Sequence, residues 1–420
     1  MLLAREGRPA PPPLAGDVAP QAAGPEIVLD LSRLLSRLLH PTPTGVDRVE
    51  LAYARTLPRR APGRVRFAAV HPSGRYGRLD ERAVARFLDE CAHRWEHAQD
   101  ERAAARWRHA LAHGWGLRPR AVPPPAGPRV LLQVSPHHLD RPAVVAAKLA
   151  RERARFVCLV HDLIPITHPE FARVDGRVRH ERRMATLRDQ AHGLLANSRA
   201  TAEAFAAWAG PGFTRPLRSA PLGVEADRTA APSPFAGSDY FVCLGTIEPR
   251  KNHLLLLNIW RSLAAMLGPA RTPRLLLIGR RGWENENVLD LLDRCTPLRG
   301  VAVELSRLPD AQVRTLLRGA RALLMPSFAE GFGLPVAEAL ALGTPVLASD
   351  IPAHREAGGD VPDYLDPLDG AGWRAAILAY AARDGAARTA QLARLAAWRA
   401  PGWDAPVDAA LALAAEVAAA

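Results

Sequence analysis

The feature that most constrains the fold is an alternation of short apolar runs with amphipathic stretches, which is broken once and then restarts. In the first half, runs at 27–30, 65–70, 130–134, 156–160 and 194–196 read as buried strands. Helical stretches at 46–57, 81–112, 142–153 and 200–209 lie between them. A Pro/Gly/Ser-rich interruption covers 211–238 and reads as a linker. Strands at 240–244, 274–278, 301–304, 322–325 and 345–348 then alternate with helices at 252–267, 286–294, 310–318 and 335–342. Such alternation builds a parallel sheet covered on both faces. The prediction is an α/β chain of two Rossmann-like domains facing each other across a cleft, with ligands beyond the carboxyl ends of the strands. A length of 420 residues suits two domains. We read 1–24 as a disordered leader without a secretion signal's apolar core, 25–228 as the first domain and 229–397 as the second. Residues 398–420 form a helix able to cross back onto the first domain.

Charge narrows the partners less than it first suggests. The formal net charge is +12, yet only two lysines occur, Lys148 and Lys251, and arginine supplies the rest along the whole chain. No nucleic-acid motif accompanies it and aromatics are only 6%, so no nucleic-acid partner is expected. No apolar run approaches the ~18–20 residues of a membrane span. Cys91, Cys158, Cys243 and Cys295 are scattered, without CxxC or histidine at metal-ligand spacing. A reducing, cytoplasmic setting and no bound metal are expected.

Three segments carry chemistry. Glu330-Gly-Phe-Gly-Leu-Pro-Val-Ala-Glu338 follows a strand; Gly331 and Gly333 let the backbone turn and approach a ligand closely. Pro335 suits the first turn of a helix that ends at Gly343, so the helix N-terminus offers N–H groups to an anion. Carboxylates on either side of an anion site suit sugar and ribose hydroxyls rather than phosphates. Gly245-Thr-Ile-Glu-Pro-Arg-Lys-Asn252 closes the second domain's first strand, with Asn252 expected as the next helix's N-cap. Arg250 and Lys251 can neutralise a departing diphosphate, and a compact ammonium in an arginine-rich chain points to a specific need. Val160-His161-Asp162 puts His161 at a strand's carboxyl end, aimed at the cleft.

The Glu330 segment resembles the Glu-x7-Glu motif of retaining glycosyltransferases of family 4, which have the GT-B fold. The resemblance implies that Glu330 contacts the donor sugar and Glu338 the ribose, with Gly331, Phe332, Gly333 and Leu334 lining the donor. It implies that 245–252 is the diphosphate-binding loop, although Thr246 stands where many members carry an arginine, a place Arg250 can fill. It puts His161 near the reacting carbon and Gly45, in Thr44-Gly45-Val46-Asp47-Arg48, near the phosphates and acceptor. Here one glycine replaces the frequent pair, and extra chain at 31–43 precedes it. The segments 168–171, 197–198, 221–224, 279–283 and 350–356 fit the same family.

The implied reaction is transfer of a hexose, such as mannose, with retention and without a conventional covalent nucleophile. The donor is a GDP- or UDP-linked sugar. The leaving diphosphate takes the acceptor's proton, and cations with the helix N-terminus replace a metal. No cofactor is implied. The acceptor is a glycan or lipid-linked molecule held by the first domain, in surface polysaccharide biosynthesis. The arginine-dense stretch 173–188 then offers peripheral contact with the inner membrane face. A nicotinamide oxidoreductase would need GxGxxG after the first strand, with an acid ~20 residues on, and neither is present. A nucleotide-sugar epimerase of the same fold and a non-catalytic sugar-binding protein remain as alternatives.

Overall fold

The computed structural model describes residues 24–40, 42–97, 113–225, 235, 237–382 and 384–420. The leader, apart from Gly24, and the stretch 98–112 of the long helical segment lie outside the described residues.

The apolar runs pair into two sheets. The first contains β1 (Glu26–Asp30), β2 (Val65–Val70), β3 (Tyr76–Arg78), β4 (Arg129–Gln133), β5 (Arg155–Val160), β6 (Gly193–Ala196) and β7 (Leu217–Ser219). Its order is β3-β2-β1-β4-β5-β6-β7, all parallel except β3, which pairs antiparallel with β2. The second contains β8 (Tyr240–Leu244), β9 (Arg274–Ile278), β10 (Ala302–Leu305), β11 (Leu323–Met325), β12 (Val346–Ser349) and β13 (Asp363–Leu365). It is wholly parallel, in the order β10-β9-β8-β11-β12-β13. Central strands covered on both faces must be apolar throughout, and Val28, Leu131, Val157, Phe241 and Leu276 are fully buried.

In each sheet the strand order reverses beside the first strand: β1 lies between β2 and β4, and β8 between β9 and β11. Connections leave to opposite sides there, opening a crevice at the carboxyl ends. The final helix, Asp404–Ala419, packs on β4, β5, β6 and the helix Gly45–Arg60 of the first sheet. Val224 N donates to Pro401 O at 2.8 Å where the two crossings run side by side.

Three local expectations are corrected. The interruption at 211–238 is not all linker: Leu217–Ser219 adds an edge strand to the first sheet, through parallel pairing with β6. The extra chain at 31–43 contains a short helix, Ser32–Ser36, so the Gly45–Arg60 helix is not the domain's first. Asn252 does not cap through its side chain. It sits in the left-handed region at φ 54°, after a turn at Pro249–Lys251, and its amide donates to Pro367 O at 2.9 Å.

Candidate active site

The second sheet supplies the floor of the site. Beyond β8, the turn Pro249–Lys251 lifts two cations over the strand end; beyond β11, the chain runs through Ser327 to Glu330. These two loops are tied to each other. Phe328 N donates to Arg250 O at 2.8 Å, and Arg250 Nη1 donates to Ala329 O at 2.9 Å. The Glu330 carboxylate lies between both cations: Lys251 Nζ is 2.5 Å from Oε1, and Arg250 Nη1 is 2.6 Å from Oε2. Ser327 Oγ adds a 2.8 Å bond to Oε1, and Glu248 takes Arg250 Nε at 2.6 Å.

Burial alone would raise the Glu330 pKa. Arg250 and Lys251 outweigh it and hold the carboxyl well below the usual range, so it is ionised. Glu248 moves the other way, because burial outweighs Arg250 and Lys251 there. Lys251 is only 7% exposed, and its ammonium is fixed rather than waving in solvent.

Gly333, at φ 95°, turns the chain into the helix Leu334–Ala341, with Pro335 in its first turn. Glu338 lies on that helix's second turn, beside Arg48 of the first domain and Asp310 of the second. Arg48 grips Asp310 with both guanidinium nitrogens, Nη2 to Oδ1 at 2.6 Å. Burial raises the Glu338 pKa, opposed by Arg48 and reinforced by Asp310 and Glu225.

The first domain closes the other side. His161, one residue past β5, donates from Nε2 to Val134 O at 2.7 Å, which leaves Nδ1 without the proton. Burial keeps the ring neutral. The two domains touch at Gly331: a methyl there would lie 2.2 Å from His161 O, so only glycine permits the approach. Ser198 Oγ and Thr201 Oγ1 donate to Gly331 O at 2.7 and 3.1 Å. Gly45 faces Leu334, whose Cδ1 would be 3.7 Å from a methyl on the glycine.

All ten residues nominated from the sequence line one cleft of about 1910 Å³ between the domains. Arg250, Lys251 and Glu330 are in direct contact; His161 meets them through the Gly331 backbone; Gly45 and Glu338 lie further along the wall. Sequence reasoning passed over Ser327, Glu248, Asp310 and the partnership of Arg48. Ser327 and Glu248 are single polar residues in loops and carry no periodic signal, and the Arg48–Asp310 pair joins residues 262 apart in the chain. Among the described residues, no group of three His, Cys, Asp or Glu side chains is placed to hold a metal ion.

Known proteins resemble this chain in sequence and in fold. The sequence model described as Glycosyl transferases group 1 matches residues 227–360. O-antigen chain mannosyltransferase B of Escherichia coli is 40% identical over 134 residues, 32% of this chain and 34% of that protein. Serotype-specific mannosyltransferase WbdA of the same species is 27% identical over 243 residues, 52% of this chain and 29% of that one. The chain thus aligns with about a third of the length of these curated relatives. Among solved structures, a UDP-forming trehalose-phosphate synthase from Burkholderia xenovorans superposes with a TM-score of 0.61 at 13% identity, over 94% of this chain and 99% of that one. That likeness shows the fold. The two doubly wound sheets are those of the GT-B architecture, and it is the second domain that resembles the glycosyl transferases group 1 family.

Proposed function

We propose that the protein is a retaining glycosyltransferase that moves a hexose from a nucleoside diphosphate sugar to a glycan or lipid-linked acceptor in surface polysaccharide synthesis. The observation that carries the reading is the Lys251–Glu330–Arg250 contact on the cleft floor, with a second glutamate, Glu338, on the helix that follows. Mannose is the favoured sugar, because two relatives bear the name mannosyltransferase. In this reading Glu330 has two tasks: it fixes the two cations before the donor arrives and offers an oxygen to a sugar hydroxyl. Lys251 and Arg250 stabilise the diphosphate as it leaves, with the N–H groups at the start of Leu334–Ala341. Glu338 holds the ribose. Neutral His161 can accept or relay a hydrogen bond from the sugar at Nδ1. The departing phosphate oxygen collects the acceptor's proton, so charge balances without a metal. The enzyme works in the cytoplasm, with peripheral membrane contact through the stretch 173–188.

The test is a panel of GDP- and UDP-sugars assayed for nucleoside diphosphate release with and without acceptor glycans. GDP-mannose should be turned over, and Lys251→Ala should lower kcat/KM by ~10²–10³ with an unchanged melting temperature. A panel with no turnover, or a Lys251→Ala variant as active as the parent, would sink the reading.

A further inference from the structure

The cations on the cleft floor are matched by carboxylates; those at its mouth are not. Arg33 and Arg37 stand one turn apart on and just after the helix Ser32–Ser36, the extra element that precedes Gly45. Both lean on one carboxylate, Asp47, with Arg33 Nε at 2.6 Å and Arg37 Nε at 3.3 Å. Asp47 already accepts from Thr44 N at 2.7 Å and Thr44 Oγ1 at 2.8 Å as part of the capping box of the helix Gly45–Arg60, so its capacity is filled.

Across the cleft, Arg280 follows β9, its carbonyl taking Ile247 N at 2.9 Å. Its neighbour Arg281 turns outward and is bound by Asp293 and Glu304. Arg280 has no carboxylate partner among the described residues. Arg33, Arg37, His40 and Arg280 all line the same cleft. The mouth therefore holds three guanidinium groups against one occupied carboxylate, contributed by both domains. Burial is the main influence lowering the Arg37 and His40 pKa values, and the charge of Arg280 reaches both side chains.

We propose that Arg37 and Arg280 form a second phosphoryl-binding subsite at the cleft mouth, separate from the Arg250–Lys251 pair. Like charges facing across a closing gap repel, and a phosphoryl group between them reverses the sign of that interaction. The planar guanidinium fork matches two phosphate oxygens at once. Two ligands present this chemistry, and for both the proposal rests on the glycosyltransferase reading. One is the donor's own diphosphate: a methyl on Gly279 would lie 1.9 Å from Gly245 O, so Arg280 emerges beside Thr246, at the start of the loop that carries Arg250 and Lys251. The other is a phosphate carried by the acceptor.

Calorimetric titration of the full chain separates them. The probes are GDP, UDP and a short-chain isoprenyl diphosphate, with the corresponding isoprenol as control, against the parent, Arg37→Gln and Arg280→Ser. Arg280 is exposed, so its variant keeps the fold whatever Arg37→Gln does. Each variant should bind a diphosphate probe about tenfold more weakly, as expected for a charged hydrogen bond lost, with isoprenol unaffected. Weakened GDP or UDP assigns the subsite to the donor; weakened isoprenyl diphosphate with nucleotide binding spared assigns it to the acceptor. Parent-like affinity for every diphosphate in Arg280→Ser overturns the proposal. A parent that binds neither nucleotide fails the glycosyltransferase reading instead, and the isoprenyl diphosphate arm then decides the subsite alone.

Discussion

The chain's two lysines are both buried, and the first explains how the mouth of the cleft is held. Lys148, 1% exposed, donates to Asp30 Oδ2 at 2.8 Å and Gln133 Oε1 at 2.6 Å, joining the ends of β1 and β4. Asp30 in turn accepts from Ser32 N at 2.8 Å and so fixes the start of the helix that carries Arg33. Removing Lys148 would strand a buried carboxylate, which typically costs about 3–5 kcal/mol. Glu50 lies in the same layer, fully buried, and accepts from Leu34 N at 3.1 Å. Burial pushes its carboxyl up to about 8 from an ordinary 4.5, with Asp30 adding to the rise and Ser135, Leu34 and Arg33 opposing it. The folded state then holds a proton that the unfolded chain releases near 4.5. Stability from this group is therefore full below about 4.5 and is lost as pH rises towards 8. Glu50→Gln removes the titration while keeping the shape. The parent's melting temperature should fall relative to the variant's between pH 5 and 8, and parallel profiles would show that Glu50 is ionised in the fold.

At the scale of elements, the Glu330–Leu334 loop is the joint on which both domains close. Gly331 is pressed against His161, and Ser198 and Thr201 fasten its carbonyl from the first domain. Glu356, in the helix Pro352–Gly358, accepts from Arg199 N at 2.7 Å and Ala200 N at 2.9 Å. The second domain thereby satisfies the free N-terminal donors of the first domain's helix Arg199–Ala209. Gly331→Ala puts a methyl 2.2 Å from a backbone oxygen that cannot step aside. The domains should stay ajar, and a displacement of about 1 Å at the reacting centre lowers kcat/KM by roughly 10². Small-angle scattering with saturating nucleoside diphosphate should give a larger radius of gyration than for the parent, at an unchanged melting temperature. A variant that closes and turns over normally would remove this loop from the closing mechanism. The strands on either side of the joint were legible in the sequence because strands buried on both faces must be apolar, as in Phe241 and Val242 or Val157 and Cys158. β7 and β13 were not, since three-residue edge strands reading LRS and DYL carry no such run. The site was legible as residue types at fixed spacing. That Glu330 is clamped by Arg250 and Lys251 was not, because the contact depends on how two loops some 80 residues apart meet.

Across the whole molecule, the closed cleft is framed by contacts of different kinds. Arg48 pairs with Asp310, Arg314 donates to Glu96 with Nη1 at 2.9 Å, and Phe171 stacks on Phe328 with centroids 5.4 Å apart. The stretch 173–188 begins beside that stack. Arg173 lies over the Trp283 ring at 4.7 Å, anchoring its root across the domain boundary. Beyond it, Arg177 is paired with Glu181 and Arg179 with Asp140, which spends two of the arginines on the protein itself. Arg182 has no carboxylate partner among the described residues. It shares a helical face with Val178, four residues earlier, and Val174 lies in the turn that leads into the helix; the two valines are 52% and 91% exposed. Apolar side chains beside an unspent cation suit a headgroup surface better than bulk water. No helix among the described residues is long and apolar enough to cross a membrane. The protein should co-sediment with anionic vesicles at low salt and be released at high salt, while neutral vesicles bind little. Arg182→Ser should weaken binding by about fivefold, near 1 kcal/mol for one surface charge, and Val178→Ser should weaken it at both salt concentrations. Arg179→Ser should matter less than Arg182→Ser, because Asp140 already holds Arg179. Absence of binding to anionic vesicles at low salt would leave the stretch as a solvated helix face and remove the membrane from the list of partners.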